Sequence, residues 1–352
     1  MAEARYAIGF DELGLEQVGL VGGKSAHLGD LRRAGFPVPP GFAVTTAAFE
    51  QVVHDEFRQE VDELVADLHP DDAARLELEA ARLRDLIHGL PVPDDVFAAI
   101  DRGYAELGSA LGLDAPAVAV RSSAVAEDAA DASFAGVQDT YLWITGIDEV
   151  VRHIRSCWAS YFNAEALAYR ARHAAAAPGM SVAVQYMVDA RVAGVMFTLN
   201  PVSGDRSCVA IDASYGLGVT VVGGDVTPDT FLVSKVTREV LRSDTGEKAI
   251  ECVADAAAGA TVTREVSAER RARLCLEPDE LERLVELARE IERHYGRAQD
   301  IEWAIDRRLG DILVLQSRAE TVWSQRPAGT RPLAVDPLAA IAATFMGNAA
   351  RK

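Results

Sequence analysis

Gln299-Asp300-Ile301-Glu302-Trp303-Ala304-Ile305-Asp306 and, beyond a short turn, Asp311-Ile312-Leu313-Val314-Leu315-Gln316-Ser317-Arg318 read as the two arms of a β-hairpin. Strand side chains alternate between faces, so Ile301, Trp303 and Ile305 share one face and Asp300 and Glu302 the other. Arg307-Arg308-Leu309-Gly310 supplies the turn. A hairpin folded about Leu309 sets Trp303 opposite Leu315 and Ile305 opposite Leu313. The same register sets Glu302 opposite Gln316 and Asp300 opposite Arg318, all on one face. Two carboxylates, an amide oxygen and a guanidinium on one patch suit a magnesium–phosphate site, because hard oxygens hold Mg2+ and Arg forks phosphate oxygens. The plainer alternative is a salt-bridged sheet surface facing solvent.

Toward the N-terminus, Val21-Gly22-Gly23-Lys24-Ser25-Ala26-His27-Leu28-Gly29 is a glycine turn with a lysine. Such a turn can lay backbone N–H groups and one cation against phosphate. It is not a Walker A loop, which needs Gly at position 18, where this chain has Val. His27 reads as a structural helix residue. Arg121-Ser122-Ser123-Ala124, with Glu127-Asp128 and then Ser133-Phe134-Ala135-Gly136, places a cation at a strand end followed by hydroxyls and small residues. A triphosphate can approach such a loop closely; an N-cap and turn is the alternative. Gln185-Tyr186-Met187-Val188 sits where the sequence changes texture, and an extended hinge there can offer backbone donors and acceptors to an adenine edge. Ser214-Tyr215-Gly216-Leu217-Gly218 is a glycine turn of no evident purpose.

Around these motifs, residues 47–112 and 148–173 have apolar residues at helical spacing. A strand is expected at 117–122. From 181 onward, Ser181–Val188, Val192–Thr198, Cys208–Ala213 and Phe231–Lys235 are short apolar or alternating runs punctuated by Gly, Pro and Asn, a sheet-rich second half. Leu281, Leu284, Val285, Ala288 and Ile291 define a helix over 279–295, bounded by Pro278 and Gly296. A last amphipathic helix is expected over 337–346, as a candidate docking element.

The 352 residues suffice for about two domains. Lys+Arg 35 against Asp+Glu 54 gives a net charge of −19, which disfavours nucleic acid and anionic membranes as partners. No stretch approaches 18 apolar residues, so no membrane span is expected. Cys157, Cys208, Cys252 and Cys275 are far apart, without CxxC or neighbouring His, and read as buried thiols of a cytoplasmic protein.

Taken in order, these motifs resemble the ATP-binding part of the phosphoenolpyruvate synthase / pyruvate phosphate dikinase family, which includes rifampin phosphotransferase. The match runs from Gly22-Gly23-Lys24 through Pro37-Val38-Pro39-Pro40-Gly41-Phe42, the Arg121 and Ser133 motifs and Gly194-Val195-Met196-Phe197-Thr198. It continues through Tyr215-Gly216-Leu217-Gly218 and Pro228-Asp229 to the hairpin. The resemblance implies an α+β, two-lobed ATP-grasp fold with nucleotide in the cleft between lobes. Its parts would be an N-terminal lobe at 1–183, a C-terminal lobe at 184–325 and a tail at 326–352. It also implies that Lys24, Arg121 and Arg318 bind phosphates as the catalytic cations and that Glu302 and Gln316 hold Mg2+. Asp300 would support the metal or the guanidinium, Ser133 and Gly136 would line the ATP site, and Gln185, Tyr186, Met187 and Val188 would border adenine. Two positions depart from the family: Val219 stands where Glu usually follows Gly-Leu-Gly, and Ala319 where Pro usually follows the Arg.

Family members that work alone carry a phosphoryl-accepting His in a Gly-x-Thr-Ser/Cys-His setting. None of the seven histidines here (27, 54, 69, 88, 153, 173, 294) lies in one. The expectation is therefore a split phosphotransferase: this chain uses Mg-ATP to phosphorylate a histidine on a partner subunit, which then phosphorylates a small, phenolic hydroxyl, releasing AMP and phosphate. Phenylphosphate synthase-type enzymes are similar in this respect. A self-sufficient small-molecule kinase, an ATP-binding fragment of a larger enzyme, and a non-catalytic nucleotide sensor are the alternatives.

Overall fold

A computed structural model describes residues 5–125, 139–173, 179–255 and 259–323. Glu127, Asp128, Ser133, Gly136 and the helix expected over 337–346 lie outside the described residues. The chain separates into two units, Met1–Ala34 with Pro40–Met187 and Gly35–Pro39 with Val188–Lys352. The division thus falls after Met187 instead of at 183/184, because the last strand of the first unit stays paired through Tyr186.

The first unit contains β1 (Ala7–Gly9), α1 (Val18–Arg33), β2 (Gly41–Val44), α2 (Thr46–Val52), α3 (Asp55–Ala66), α4 (Ala73–Gly89) and α5 (Asp94–Leu111). It continues with β3 (Val118–Ala124), β4 (Thr140–Ile144), α6 (Ile147–Ser160), α7 (Ala164–His173) and β5 (Met180–Tyr186). The strands form one antiparallel sheet in the order β1-β2-β5-β3-β4. Alternation gives this sheet two different faces. Phe42, Val44, Val118, Val120, Val182 and Val184 point into a core shared with the helices, including Phe49, Leu83, Ile100, Ile154 and Trp158. The helices follow their sequence signals. Asp72 caps α4 by accepting from Arg75 N at 3.1 Å, and α5 ends on Gly112 in the left-handed region, φ 66°. The opposite face carries Ala119, Arg121 and Ser123 beside Ser181, Ala183 and Gln185, and there α1 is hydrogen-bonded to the sheet.

The second unit contains β6 (Ala190–Phe197), β7 (Cys208–Tyr215), α8 (Val219–Val222), β8 (Asp229–Ser234), β9 (Val240–Asp244), β10 (Ile250–Asp255) and β11 (Ala260–Glu265). Then follow α9 (Ala268–Arg271), α10 (Pro278–Tyr295), β12 (Gln299–Asp306) and β13 (Ile312–Ala319). Its main sheet has the order β13-β12-β6-β7-β8-β9, and β10 and β11 form a separate two-stranded ribbon. The helix expected at 279–295 is α10, opened by a Glu277/Glu280 capping box with Pro278 in the first turn and closed by Gly296 at φ 66°. β9 and β11 carry no apolar pattern because they are largely exposed, so the pattern in sequence did not reveal them.

The hairpin has the expected polar register and a different apolar one. Glu302 pairs with Gln316 and Asp300 with Arg318, but the register shifts between Glu302 and Trp303, so that Trp303 faces Val314 and Ile305 faces Ile312. The expected partners Leu315 and Leu313 are only half-buried, whereas Val314 is fully buried against Trp303. The cause is a β-bulge at Leu315: one extra residue on β13 switches the face of everything before it while leaving Gln316 and Arg318 in place.

Candidate functional site

In the first unit the glycine–lysine segment is the start of a helix, not a free turn. Gly22 breaks the helical course of α1 with φ 70°, ψ 168°, a conformation open essentially to glycine alone. A Cβ there would stand 2.1 Å from the Ser123 carbonyl oxygen, so the glycine is also what lets α1 touch the end of β3. Three hydrogen bonds hold the contact: Lys24 Nζ donates to Ser122 O at 2.7 Å, Ser25 N to Ser123 Oγ at 3.2 Å, and Ser123 Oγ to Val21 O at 2.8 Å. Lys24 and Arg121 are buried, at 4% and 8% exposure, in this stitched corner. His27 Nδ1 lies 2.8 Å from Gly23 O, one turn back on the same helix, which is the structural role expected for it.

Of the residues expected to border adenine, Gln185 lies on the same sheet face as Arg121, in register with Ala119. It is 2% exposed and its Nε2 has no hydrogen-bond partner among the described residues. Two backbone donors of this stretch are engaged within the chain. Tyr186 N donates to Pro40 O at 2.8 Å and Met187 N to Ala117 O at 2.9 Å, since sheet pairing continues to the end of the unit. Met187 is buried in the first unit, and Val188, also buried, belongs to the second.

In the second unit one sheet face gathers the remaining candidates. A row of paired residues runs Gln316, Glu302, Val195, Asp212 and Thr230 across β13, β12, β6, β7 and β8. The next row runs Arg318, Asp300, Phe197 and Ala210. Arg318 Nε stands 3.6 Å from Asp300 Oδ2, while Asp300 Oδ1 is buried without a hydrogen bond among the described residues. Burial pushes the Asp300 carboxyl up to about 7, and the neighbouring Arg318 only partly opposes this. A carboxylate, an amide and a guanidinium side by side match the donor set of a hard cation with phosphate. Among the described residues no three His, Cys, Asp or Glu side chains converge on one point.

Asp212 was not singled out from sequence. It is 5% exposed, has no side-chain partner among the described residues, and burial alone pushes it up to about 7. Its neighbours on this face, Val195 and Phe197, pack with Val221 and Val226 into an apolar patch. The signal was present: one carboxylate inside the apolar run Val209-Ala210-Ile211-Asp212-Ala213. Other motif residues are structural. Gly216, at φ 75°, brings its backbone against Cys252, where a Cβ would stand 2.3 Å from the carbonyl oxygen. Asp229 is fully buried, ion-paired with Lys248 and accepting from Gly246 N and Cys275 N at 2.8 and 2.7 Å. All four cysteines are buried and free, and among the described residues no helix is long and apolar enough to cross a membrane.

Residues 18–335 match the model of the pyruvate phosphate dikinase AMP/ATP-binding domain. The chain belongs to this family. Its members with similar sequences include a probable phosphoenolpyruvate synthase of Staphylothermus marinus, 40% identical over 92% of this chain and 42% of that protein. Another, from Methanothermobacter thermautotrophicus, is 43% identical over 90% of this chain and 46% of that protein. A rifampicin phosphotransferase of Streptomyces sviceus is 42% identical over 90% of this chain and 36% of its own length. This member of the dikinase family therefore spans less than half the length of these relatives, and they are phosphotransferase-type enzymes by name.

Proposed function

We propose that this chain binds Mg-ATP and readies a phosphoryl group for transfer to a histidine supplied from outside residues 1–352. The observation that carries the reading is the register of β12 on β13, which aligns Glu302 with Gln316 and Asp300 with Arg318 on one face. Mg2+ commonly takes one or two protein oxygens and completes its octahedron with phosphate and water, so Glu302 and Gln316 suit it. When bound, the ion would neutralise charge on the phosphate oxygens. Arg318, steadied by Asp300, would fork phosphate oxygens. Lys24 and Arg121 would bring two further cations to the same triphosphate, and Gln185 an amide to the base. Phosphoryl transfer asks mainly for this positioning and charge neutralisation.

In the dikinase pattern the acceptor imidazole takes one phosphoryl group, water takes the other, and AMP and phosphate leave. The phosphohistidine then passes its group to a small hydroxyl, of the phenolic class in the split arrangement expected above. That arrangement puts the histidine on a separate subunit. A second reading, an ATP-binding part of a longer phosphotransferase, is favoured by the share of the relatives that this chain covers. Both give these residues the same work.

Calorimetric titration with a non-hydrolysable ATP analogue and Mg2+ tests the proposal. Arg318→Ala and Glu302→Gln should each weaken binding tenfold or more while circular dichroism stays unchanged. Unaltered affinity in both variants overturns it.

A further inference from the structure

We propose that Trp323 is a positioning residue for Arg318, an inference that rests on reading Arg318 as a phosphate-binding cation. Arg318 occupies a demanding place. β13 is an edge strand of the main sheet, laddered to β12 on one side. The ladder is closed by the 307–310 turn and opens at Gln299 and Ala319, so the Asp300–Arg318 pair is the second from the open end. A strand end held from one side frays at little cost in free energy, whereas a ligand-binding group has to stay within about 0.5 Å of its place. Something beyond the ladder has to hold this end.

Glu320 and Trp323 do so. Glu320 N donates to Ala298 O at 3.0 Å, which carries the pairing one residue past β13 and sets the Glu320 side chain on the face of Arg318 and Gln316. Glu320 is 4% exposed, and its Oε1 accepts from Trp323 N at 2.7 Å, closing a turn that lays the indole on the segment after β6. There Trp323 Nε1 donates to Pro201 O at 2.8 Å, and the ring lies on Gly204, where a Cβ would stand 2.5 Å from a ring carbon. The receiving turn is itself fixed: Asn200 Oδ1 accepts from Val202 N and Ser203 N at 2.9 and 3.2 Å. Thr198 ties the same segment to β12, its N donating to Gln299 O at 3.0 Å and its Oγ1 accepting from Gln299 N at 2.8 Å. The contacts close a ring that runs from Arg318 through Glu320, Trp323, Pro201 and Thr198 back to Asp300. Opening the ring at Trp323 frees the end of β13 that carries the guanidinium. In this role Trp323 acts only through Arg318.

A double-mutant cycle, read by calorimetric titration with the non-hydrolysable ATP analogue and Mg2+, tests the assignment. Trp323→Ala should weaken binding about tenfold in the wild-type background, with circular dichroism unchanged. In the Arg318→Ala background it should change nothing, because no guanidinium is left to misplace. Trp323→Phe, which keeps a ring for Gly204 and removes the N–H, should lose about threefold and takes its place in the cycle if the alanine variant misfolds. Amide hydrogen exchange should quicken at Glu320, at the open end, and stay unchanged at Val314, whose N–H is bonded to Pro37 O. An equal loss of affinity in both backgrounds, no loss in either, or unaltered exchange at Glu320 overturns the positioning role. The two readings fail separately: wild-type affinity in Arg318→Ala removes the phosphate role beneath the proposal, whereas a weakened Arg318→Ala with an additive Trp323→Ala removes the positioning role alone.

Discussion

In the first unit the polar face of the sheet carries cations and hydroxyls held by backbone contacts. In the second unit the corresponding face carries carboxyls, of which, among the described residues, one has no partner and another leaves an oxygen unbonded. Both sheets bury their other face in an apolar layer, so the contrast lies in how the polar face is stabilised. Lys24 is bonded to a strand carbonyl, Ser122 O. Asp212 and Asp300 are desolvated and stay protonated up to about 7. A surface built from cations can be organised in advance by carbonyl oxygens. A carboxyl surface deprived of water remains at a cost until a cation reaches it.

Breaking a carboxyl that already has its cation should give the largest effect. Asp229→Ala strips the buried Lys248 of its partner and should cost about 3–5 kcal/mol, read as a fall in the urea midpoint. Next comes the joint that organises the cationic face. Gly22→Ala should cost about 2–4 kcal/mol and abolish nucleotide binding, because the new Cβ meets the Ser123 carbonyl in a conformation glycine alone tolerates. Gly19→Ala, where nothing lies within 4 Å, should stay within about 0.5 kcal/mol. Equal effects at the two glycines would remove the stitched corner as the basis of the comparison.

The bulge is tested by paired substitutions on β13. Val314→Ser should cost about 2–3 kcal/mol and Leu315→Ser less than about 1 kcal/mol; a regular hairpin would reverse them. The smallest effect has the opposite sign. A carboxyl whose acidity is weakened by folding binds its proton more tightly in the native state. Stability is therefore full below the unfolded carboxylate range, near 4, falls as pH rises toward 7, and levels off above it. Asp212→Asn should accordingly raise the Tm by a few degrees at pH 8 and leave it unchanged at pH 4. A variant no more stable than wild type at pH 8 would show that the Asp212 carboxyl is not held at a cost.

The polar half of the hairpin was legible because strand alternation and the turn length set Glu302 against Gln316 without further information. The apolar half was not, since a bulge at Leu315 leaves no mark in a run of four aliphatic residues, Ile312 to Leu315. The Gly22-Gly23-Lys24 segment announced a special backbone, but its purpose needed Ser122 and Ser123, about a hundred positions away. The partners of the hinge residues were hidden for a related reason. Whether Tyr186 and Met187 keep free N–H groups depends on Pro40 and Ala117, which sequence distance hides.

By itself the sequence determined which residues could carry charge to a phosphate, the helix over 279–295 with its caps, and the alternation that separates polar from apolar faces. These are local properties, settled within one turn or one strand. Only the tertiary structure decided that Asp212 shares a row with Glu302, that Pro228-Asp229 serves a buried ion pair, and that Gly216 exists to touch Cys252. Those depend on pairing between distant strands, where burial rather than residue type sets what a side chain can do.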